Sequence, residues 1–349
     1  MQETSESAAA SRYRVVSLFS GGGGLDLGFK QAGYDIVWAI DNARDAVETY
    51  RENIGDHIIC ADINTISPDD IPQCDIIIGG PPCQSFSLAG NRNVEDARGR
   101  LVWTYLDIIN AKRPKFFLFE NVPGILSAKN GKKEKIINLL MDKFATMGYT
   151  MSFKIVNAAE YGVPQLRRRA ILIGSSKGKV EFPKPTHNAD GSGGLQRFVS
   201  VSEAIGDLPQ PTKGSAIDHE PPVMSELDRY IVAHVRPGGN YMDIPPEVPS
   251  ERIRRLQRDG GHTTCYGRMH PDRPAYTINT YFNRPNVGCN IHYDQDRLIT
   301  VREALRLQSF PDSYHIVAKS KHARNLIVGN AVPPRLAYVL AENLKHYLY

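Results

Sequence analysis

The sequence predicts an α/β fold, a mostly parallel sheet with helices on both faces, joined to a second, smaller and loop-rich domain. Three observations carry that prediction. Short apolar runs alternate with helix-like stretches from Arg14 to Gly174, the rhythm then breaks into a stretch rich in Gly, Pro, Asn and His, and helical patterning resumes at Thr300. Strands separated by helices cross over to lie parallel, and such sheets are covered on both faces. The chain has 349 residues, too many for one ordinary domain and comfortable for two. The expected division is a first catalytic-type portion over 12–174, an inserted domain over 175–299, and a C-terminal portion over 300–349 that returns to the first.

The elements follow in order. RVVSLF (14–19) reads as a strand and LDLGFKQAG (25–33) as a helix closing on Gly33. DIVWAI (35–40) is a strand, followed by a helix near 43–53, and CDIIIG (74–79) is a strand leading into GGPPC. LVWTYLDIINA (101–111) is helical, and KFFLFE (115–120) is a buried strand ending on an acid. A helix over 134–148 and extended segments over 151–157 and 170–174 complete the alternation. Within the insertion, Ser200 and Glu203 have capping-box spacing, and a second box, TVRE, opens a helix at Thr300 that stops before Pro311. A helix near 335–347 closes the chain.

Composition excludes several classes. With 41% apolar and 23% charged residues the chain is neither disordered nor membrane-spanning in character. The formal charge of +4 permits a polyanionic partner without requiring one. Five cysteines, at 60, 74, 83, 265 and 289, show no C-x-x-C spacing, so neither a zinc site nor a disulfide framework is expected. The N-terminal MQETSESAAAS has no apolar core, so no signal peptide or anchor is read there. A reducing cytosol is the expected compartment, where a free thiol persists.

Four segments carry chemistry. FSGGGG (19–24) stands between a strand and a helix, where glycines let backbone approach a ligand and the helix N-terminus offers free N–H groups. Asp41 follows at the end of the next strand, where an acid takes ribose hydroxyls. A nicotinamide fingerprint fails on spacing, because Asp26 stands where its third glycine belongs. GGPPCQSFS (79–87) lies at a strand's C-terminal end, and two prolines stiffen the approach to Cys83. A buried small hydrophobe is the bland reading of a lone cysteine, but this flanking sequence makes poor core and favours a reactive thiol. Glu120 closes a very apolar strand as either a partnered carboxylate or an acid with a raised pKa. In PQLRRR (164–169), Arg167 and Arg169 project to one side if the segment is extended; a solvated basic edge is the alternative.

In this order the residues resemble the C5-cytosine DNA methyltransferases of restriction-modification type. The likeness comprises Phe19-x-Gly21-x-Gly23-Gly24, Asp41, Asp62, the Gly-Pro-Pro-Cys-Gln-x-Phe-Ser loop around Cys83, Arg98-Gly99-x-Leu101, Glu120-Asn121-Val122, Gln165-x-Arg167-x-Arg169, RExxRLQSFPD (302–312) and Gly329-Asn330-Ala331-Val332-Pro333-Pro334. It implies the S-adenosylmethionine-dependent methyltransferase fold, Rossmann-like, with a mixed, mostly parallel sheet. It also implies that Cys83 adds to cytosine C6, Glu120 holds or protonates N3, Arg169 holds O2 and Arg167 orients Glu120. By the same resemblance Phe19 stacks on adenine, Asp41 takes the ribose, Asp62 and Ile63 hold the adenine edge, and Pro81 and Asn330 complete the S-adenosylmethionine site with Gly21, Gly23 and Gly24. No metal is implied. Asp41 stands where many members have Glu, and Asn42 follows where many have an apolar ring, departures expected to tune affinity.

The resemblance makes 175–299 the target-recognition domain. Its net charge does not help, since basic and acidic residues balance there, so contacts are expected from local clusters. The expected DNA-contacting residues are Ser87, Arg98, Arg268, Thr277 and Arg284, with Thr277-Ile278 standing for the family's Thr-Leu pair. The loop from Ser85 to Gly99 is expected to cover a cytosine flipped out of the duplex. Duplex DNA is the expected partner, with a cognate restriction endonuclease acting separately, no membrane, and a monomeric enzyme. The RNA-directed branch of the fold carries a Cys-Phe-Thr signature that is missing here. A catalytically silent binding module is the rival from another class, and the intact motif set argues against it.

Overall fold

The computed structural model describes residues 13–82, 97–129 and 133–348, with backbone alone over 97–100. The first elements are β1 (Arg14–Leu18), α1 (Gly24–Gln31), β2 (Asp35–Asp41), α2 (Arg44–Asn53), β3 (Ile58–Cys60) and β4 (Ile76–Gly79). After them come α3 (Ala97–Lys112), β5 (Phe116–Asn121), α4 (Ile136–Thr146), β6 (Thr150–Asn157) and β7 (Arg168–Ser175). These strands form one seven-stranded sheet in the order β3-β2-β1-β4-β5-β7-β6. Strands β1 to β5 pair in parallel, but β7 runs antiparallel to both β5 and β6. Alternation alone gave no hint of that reversal. The connection 158–167 is too short for a crossover helix, so the chain turns straight back.

Side chains along the central strands alternate between two cores, as a pleated strand requires. Val15, Ile76, Ile78, Phe116 and Leu118 face one core, while Val16, Ile77, Phe117 and Phe119 face the other. Helix α10 (Pro334–Lys345) supplies Leu336, Leu340 and Leu344 to the first, beside Phe29 of α1. The chain's last helix therefore shares a core with its first strand. The two helices approach so closely that a Cβ on Gly28 would lie 2.4 Å from the Cβ of Ala337. No helix among the described residues is long and apolar enough to cross a membrane.

Beyond Ser175 lie the short pair β8 (His187–Asn188) and β9 (Gln196–Arg197), then α5 (Val201–Ile205), α6 (Glu226–His234) and α7 (Glu251–Asp259). Helices α8 (Val301–Leu307) and α9 (Lys321–Asn330) precede α10. Both expected capping boxes form, at Ser200–Glu203 and Thr300–Glu303. A third, Ser225–Asp228, opens α6, a helix the sequence reading did not place. One core lies wholly within residues 175–299, including Ile231, Val235, Tyr241, Ile253 and Leu298. A second core joins Val201, Ile278 and Phe282 to Leu305 of α8 and Val328 of α9.

Arg268 belongs to that framework, which corrects its expected place on a DNA-reading surface. It is 5% exposed. Its Nε donates to Val235 O at 2.5 Å, and Nη1 donates to His292 O at 3.1 Å and Gln295 O at 2.9 Å. Its Nη2 donates to Val232 O and pairs with Asp296 at 2.6 Å. A guanidinium so engaged ties α6 to the 292–296 turn and has no free edge for a base. Arg268→Ala should lower stability by about 3 kcal/mol, the scale for stranding buried acceptors. Denaturant unfolding checks this, and a near-wild-type midpoint would remove the tie from the account.

Candidate active site

Ligands of open α/β sheets sit at the carboxyl ends of strands where the winding reverses. Here β1 is flanked by β2 and β4, so the reversal falls between β1 and β4. The glycine loop follows β1, and the GGPPC stem follows β4. Asp41 ends β2 and Asp62 lies just past β3, so four adjacent strands present residues along one edge.

The glycine loop is held in an uncommon backbone hand. Phe19, Gly21 and Gly23 have φ of 57°, 56° and 84°, and Gly23 caps α1. A Cβ on Gly24 would lie 2.4 Å from Val332 O, so the 329–334 segment packs directly on the loop. Nothing stands within 4 Å of a Cβ built on Gly21, leaving that side open to a ligand. Asp41 closes the loop by accepting from Gly21 N at 2.8 Å and Ala43 N at 2.9 Å. Burial raises its pKa, and these N–H groups oppose the rise. Each oxygen retains lone-pair capacity for a hydroxyl. Asp62 accepts from Asn64 N at 3.0 Å and caps the turn that buries Ile63. Asn330 is exposed at the end of α9. This edge fits a nucleoside-bearing donor: open backbone at Gly21, a hydroxyl acceptor at Asp41 and a half-buried ring at Phe19.

Beneath the loop lies a carboxyl that sequence reading left without a role. Asp26 is fully buried and accepts from Ser17 Oγ and Tyr50 OH, each at 2.9 Å. Burial pushes its pKa up to about 6 from 3.8, against those two hydrogen bonds. The folded state thus favours the protonated acid, so this group's contribution is full below 3.8 and is lost as pH rises through about 6. Asp26→Asn removes that titration. Between pH 3 and pH 7 wild type should lose on the order of 3 kcal/mol relative to the variant, at about 1.4 kcal/mol per pKa unit. Denaturant melts of both proteins across that range test it, and parallel stability curves would refute it.

The second half of the edge is built around Glu120. A Cβ on Gly80 would fall 2.7 Å from Glu120 Oε2, so only glycine lets the carboxylate lie against this stem. The neighbouring Asn121 donates from Nδ2 to Pro81 O at 3.0 Å and fixes the same stem. Glu120 pairs with Arg169 Nε at 2.8 Å, and their side chains are 12% and 11% exposed. Burial raises the Glu120 pKa; the charges of Arg169 and Arg167 pull the other way. Cys83 and Ser87 lie outside the described residues, as does the covering loop up to residue 96. For Arg98 only the backbone, within α3, is described.

Arg167 and Arg169 do share a side, with Arg168 exposed between them. Arg167 nevertheless makes no hydrogen bond to Glu120 among the described contacts, contrary to the expectation that it orients that acid. It is fully buried and donates to Ile278 O at 2.9 Å, Gly329 O at 2.7 Å and Ala331 O at 2.9 Å. Arg169 makes the direct contact instead, and Arg167 reaches Glu120 only through its field. Thr277 is half-buried, with its hydroxyl donating to Leu166 O at 2.7 Å. Arg284 is exposed, its guanidinium carbon 5.1 Å from the Tyr281 ring centroid.

Comparison with known proteins identifies the family. The family model of the C-5 cytosine-specific DNA methylases matches residues 13–346. The Type II methyltransferase M.NgoFVII of Neisseria gonorrhoeae is 39% identical over 97% of this chain and 87% of its own length. The Type II methyltransferase M.MthTI of Methanothermobacter thermautotrophicus is 34% identical over 95% of this chain and 96% of its own. The solved Entamoeba histolytica methyltransferase EhMeth shares the fold with a TM-score of 0.68 and 16% identity, covering 97% of this chain and all of its own. Matched from residue 13 to residue 346, nearly its whole length, the chain belongs to the C-5 cytosine-specific DNA methylase family.

Proposed function

We propose that the protein is the modification enzyme of a type II restriction-modification pair, methylating carbon 5 of one cytosine within a short duplex DNA sequence. The observation that carries the chemical part is Glu120, held against Gly80 at the root of the Cys83 loop and paired with Arg169. S-adenosylmethionine, the family's methyl donor, supplies an electrophilic methyl group on a sulfonium. Phe19, Asp41, Asp62 with Ile63, Pro81, Asn330 and the glycines at 21, 23 and 24 are the residues that would hold it.

Cytosine C5 is a poor nucleophile until C6 is attacked. In this reading the Cys83 thiolate adds at C6, and Glu120 donates a hydrogen bond or proton to N3 as electron density moves into the ring. Arg169 holds O2 and keeps Glu120 in place. C5 would then take the methyl group, leaving the donor as a neutral thioether. The C5 proton would pass to water, the freed electrons would restore the C5–C6 double bond and expel the Cys83 thiolate, and N3 would return any proton to Glu120. The target atoms are hidden in the duplex, so the base must leave the stack.

Residues 12–174 and 300–349 would perform the chemistry while 175–299 reads the sequence, with Thr277 and the exposed Arg284 as the remaining contacts proposed there. Ser87 and Arg98 would contact the duplex from the other side. The enzyme would act as a monomer on cytosolic DNA, with a separate endonuclease of matched specificity and no metal. Labelled methyl transfer to duplex DNA and to transfer RNA, followed by conversion sequencing of DNA from expressing cells, tests the reading. Methyl groups at one cytosine of one recurring sequence are expected; methylation of transfer RNA alone, or DNA binding without transfer, would overturn it.

A further inference from the structure

The segment between β6 and β7 touches both the insertion and the C-terminal helices, and its buried polar side chains hold backbone groups and, from Arg167 Nη1 to Gln165 Oε1 at 3.4 Å, each other. Gln165 and Arg167 are both 0% exposed. Gln165 Oε1 accepts from Ile278 N at 2.9 Å, while its Nε2 donates to Leu307 O at 3.2 Å. Arg167 takes the carbonyls of Ile278, Gly329 and Ala331. The main chains are tied as well, by Leu166 N to Ala275 O at 2.8 Å and Ala275 N to Pro164 O at 3.0 Å. From the other side α9 presses on the same stretch: a Cβ on Gly329 would lie 2.5 Å from Thr280 N. Residues 275–280 are thus clamped between 164–167 and the last turn of α9.

A buried guanidinium bonded only to neutral carbonyls is a poor choice for stability. Its Nε is buried with no acceptor, and no hydrogen bond joins it to a carboxylate among the described contacts. A well-packed apolar side chain of similar volume avoids that desolvation. What the planar fork provides is direction, since it fixes carbonyls from two distant segments in one plane. Arg169 lies two residues further along, about 7 Å in extended chain, and holds Glu120. One short stretch therefore grips the recognition side at one end and the reacting acid at the other.

We propose that Gln165 and Arg167 are positioning residues that register segment 275–280 against the Glu120–Arg169 pair, so that the fit of a DNA sequence sets the rate of chemistry upon it. The proposal rests on the reading of 175–299 as the domain that selects the site. A correctly matched sequence leaves 275–280 seated and the acid aligned. A mismatched one displaces the segment, and the displacement passes through the shared hydrogen bonds to Arg169.

Arg167→Lys keeps the charge but loses the fork, and Gln165→Met keeps length while removing both hydrogen bonds. Each variant is assayed by single-turnover methylation of a randomised duplex library, with cofactor binding by calorimetry and thermal unfolding alongside. The ratio of rates on the preferred sequence to those one base removed should fall by about tenfold, the scale of such couplings, with cofactor affinity changed much less. If Arg167→Lys does not fold, Gln165→Met decides alone. A merely structural role would slow every sequence by one factor and leave the ratio intact, which would overturn the proposal, as would wild-type rates and preference in a folded variant. If wild type itself methylated no member of the library, the underlying reading would fail with it.

Discussion

Cys83→Ser is expected to abolish methyl transfer while leaving cofactor binding in place. A thiol is partly ionised near neutral pH and can attack a ring carbon, whereas a serine hydroxyl needs a strong adjacent base. No histidine lies in the Gly79–Ser87 stem or the Glu120 strand end to serve as that base. Single-turnover rates should drop by about 10⁴-fold or more, the scale on which loss of a covalent nucleophile acts. The cofactor residues proposed here stand mainly at the ends of β1, β2 and β3, so calorimetric affinity should hold within a small factor. DNA carrying 5-fluorocytosine at the target should trap wild type in a denaturation-resistant adduct, because fluorine at C5 cannot leave as a proton does. The serine variant should form none. Near-wild-type turnover, or an equal adduct yield, would sink the nucleophile assignment.

How much of this was legible in the sequence depended on whether a residue's neighbours are local. The strands IIIG and FFLFEN are buried on both faces, so their uninterrupted apolar runs announced them. Direction was not announced: nothing in AILIG says that β7 runs against β5, because that depends on the length of the preceding connection. Helix α9 escaped notice because KHARNLIVGN has only a short apolar face and one capping serine, Ser320. That Glu120, Arg167 and Arg169 lie together emerged from the sequence, but with Arg167, not Arg169, as the residue set to orient Glu120. The partners of Arg167 did not, because they lie at 278 and 329–331, far away in the chain. Arg268 was misplaced for a related reason. A glycine beside it, Gly267, is compatible with an open loop in the sequence alone, yet a Cβ there would fall 2.5 Å from Cys289 Sγ, so that glycine marks close packing.

Glu120→Gln is expected to slow the chemical step by about 10²–10⁴-fold, the usual range for losing a general acid or base. Glutamine preserves shape and one N–H donor beside Gly80, but it has no proton to transfer. The substitution also leaves Arg169 without its counter-charge at 2.8 Å, so two effects act in the same direction. They separate by pH. Burial raises the Glu120 pKa, so the protonated form persists to higher pH than in an ordinary carboxyl. If that form drives the reaction, the wild-type single-turnover rate should fall as pH rises through the raised pKa, and the glutamine variant should lack this limb. Glu120→Asp supplies the control, since it keeps a titrating carboxyl and the charge for Arg169 but is one methylene shorter. It should be slow yet retain a falling limb. Single-turnover conditions are needed because slow product release can mask the step. An unchanged rate in Glu120→Gln would return this acid to the role of a structural partner for Arg169. A slow variant that kept the wild-type pH limb would place the titrating proton on another group.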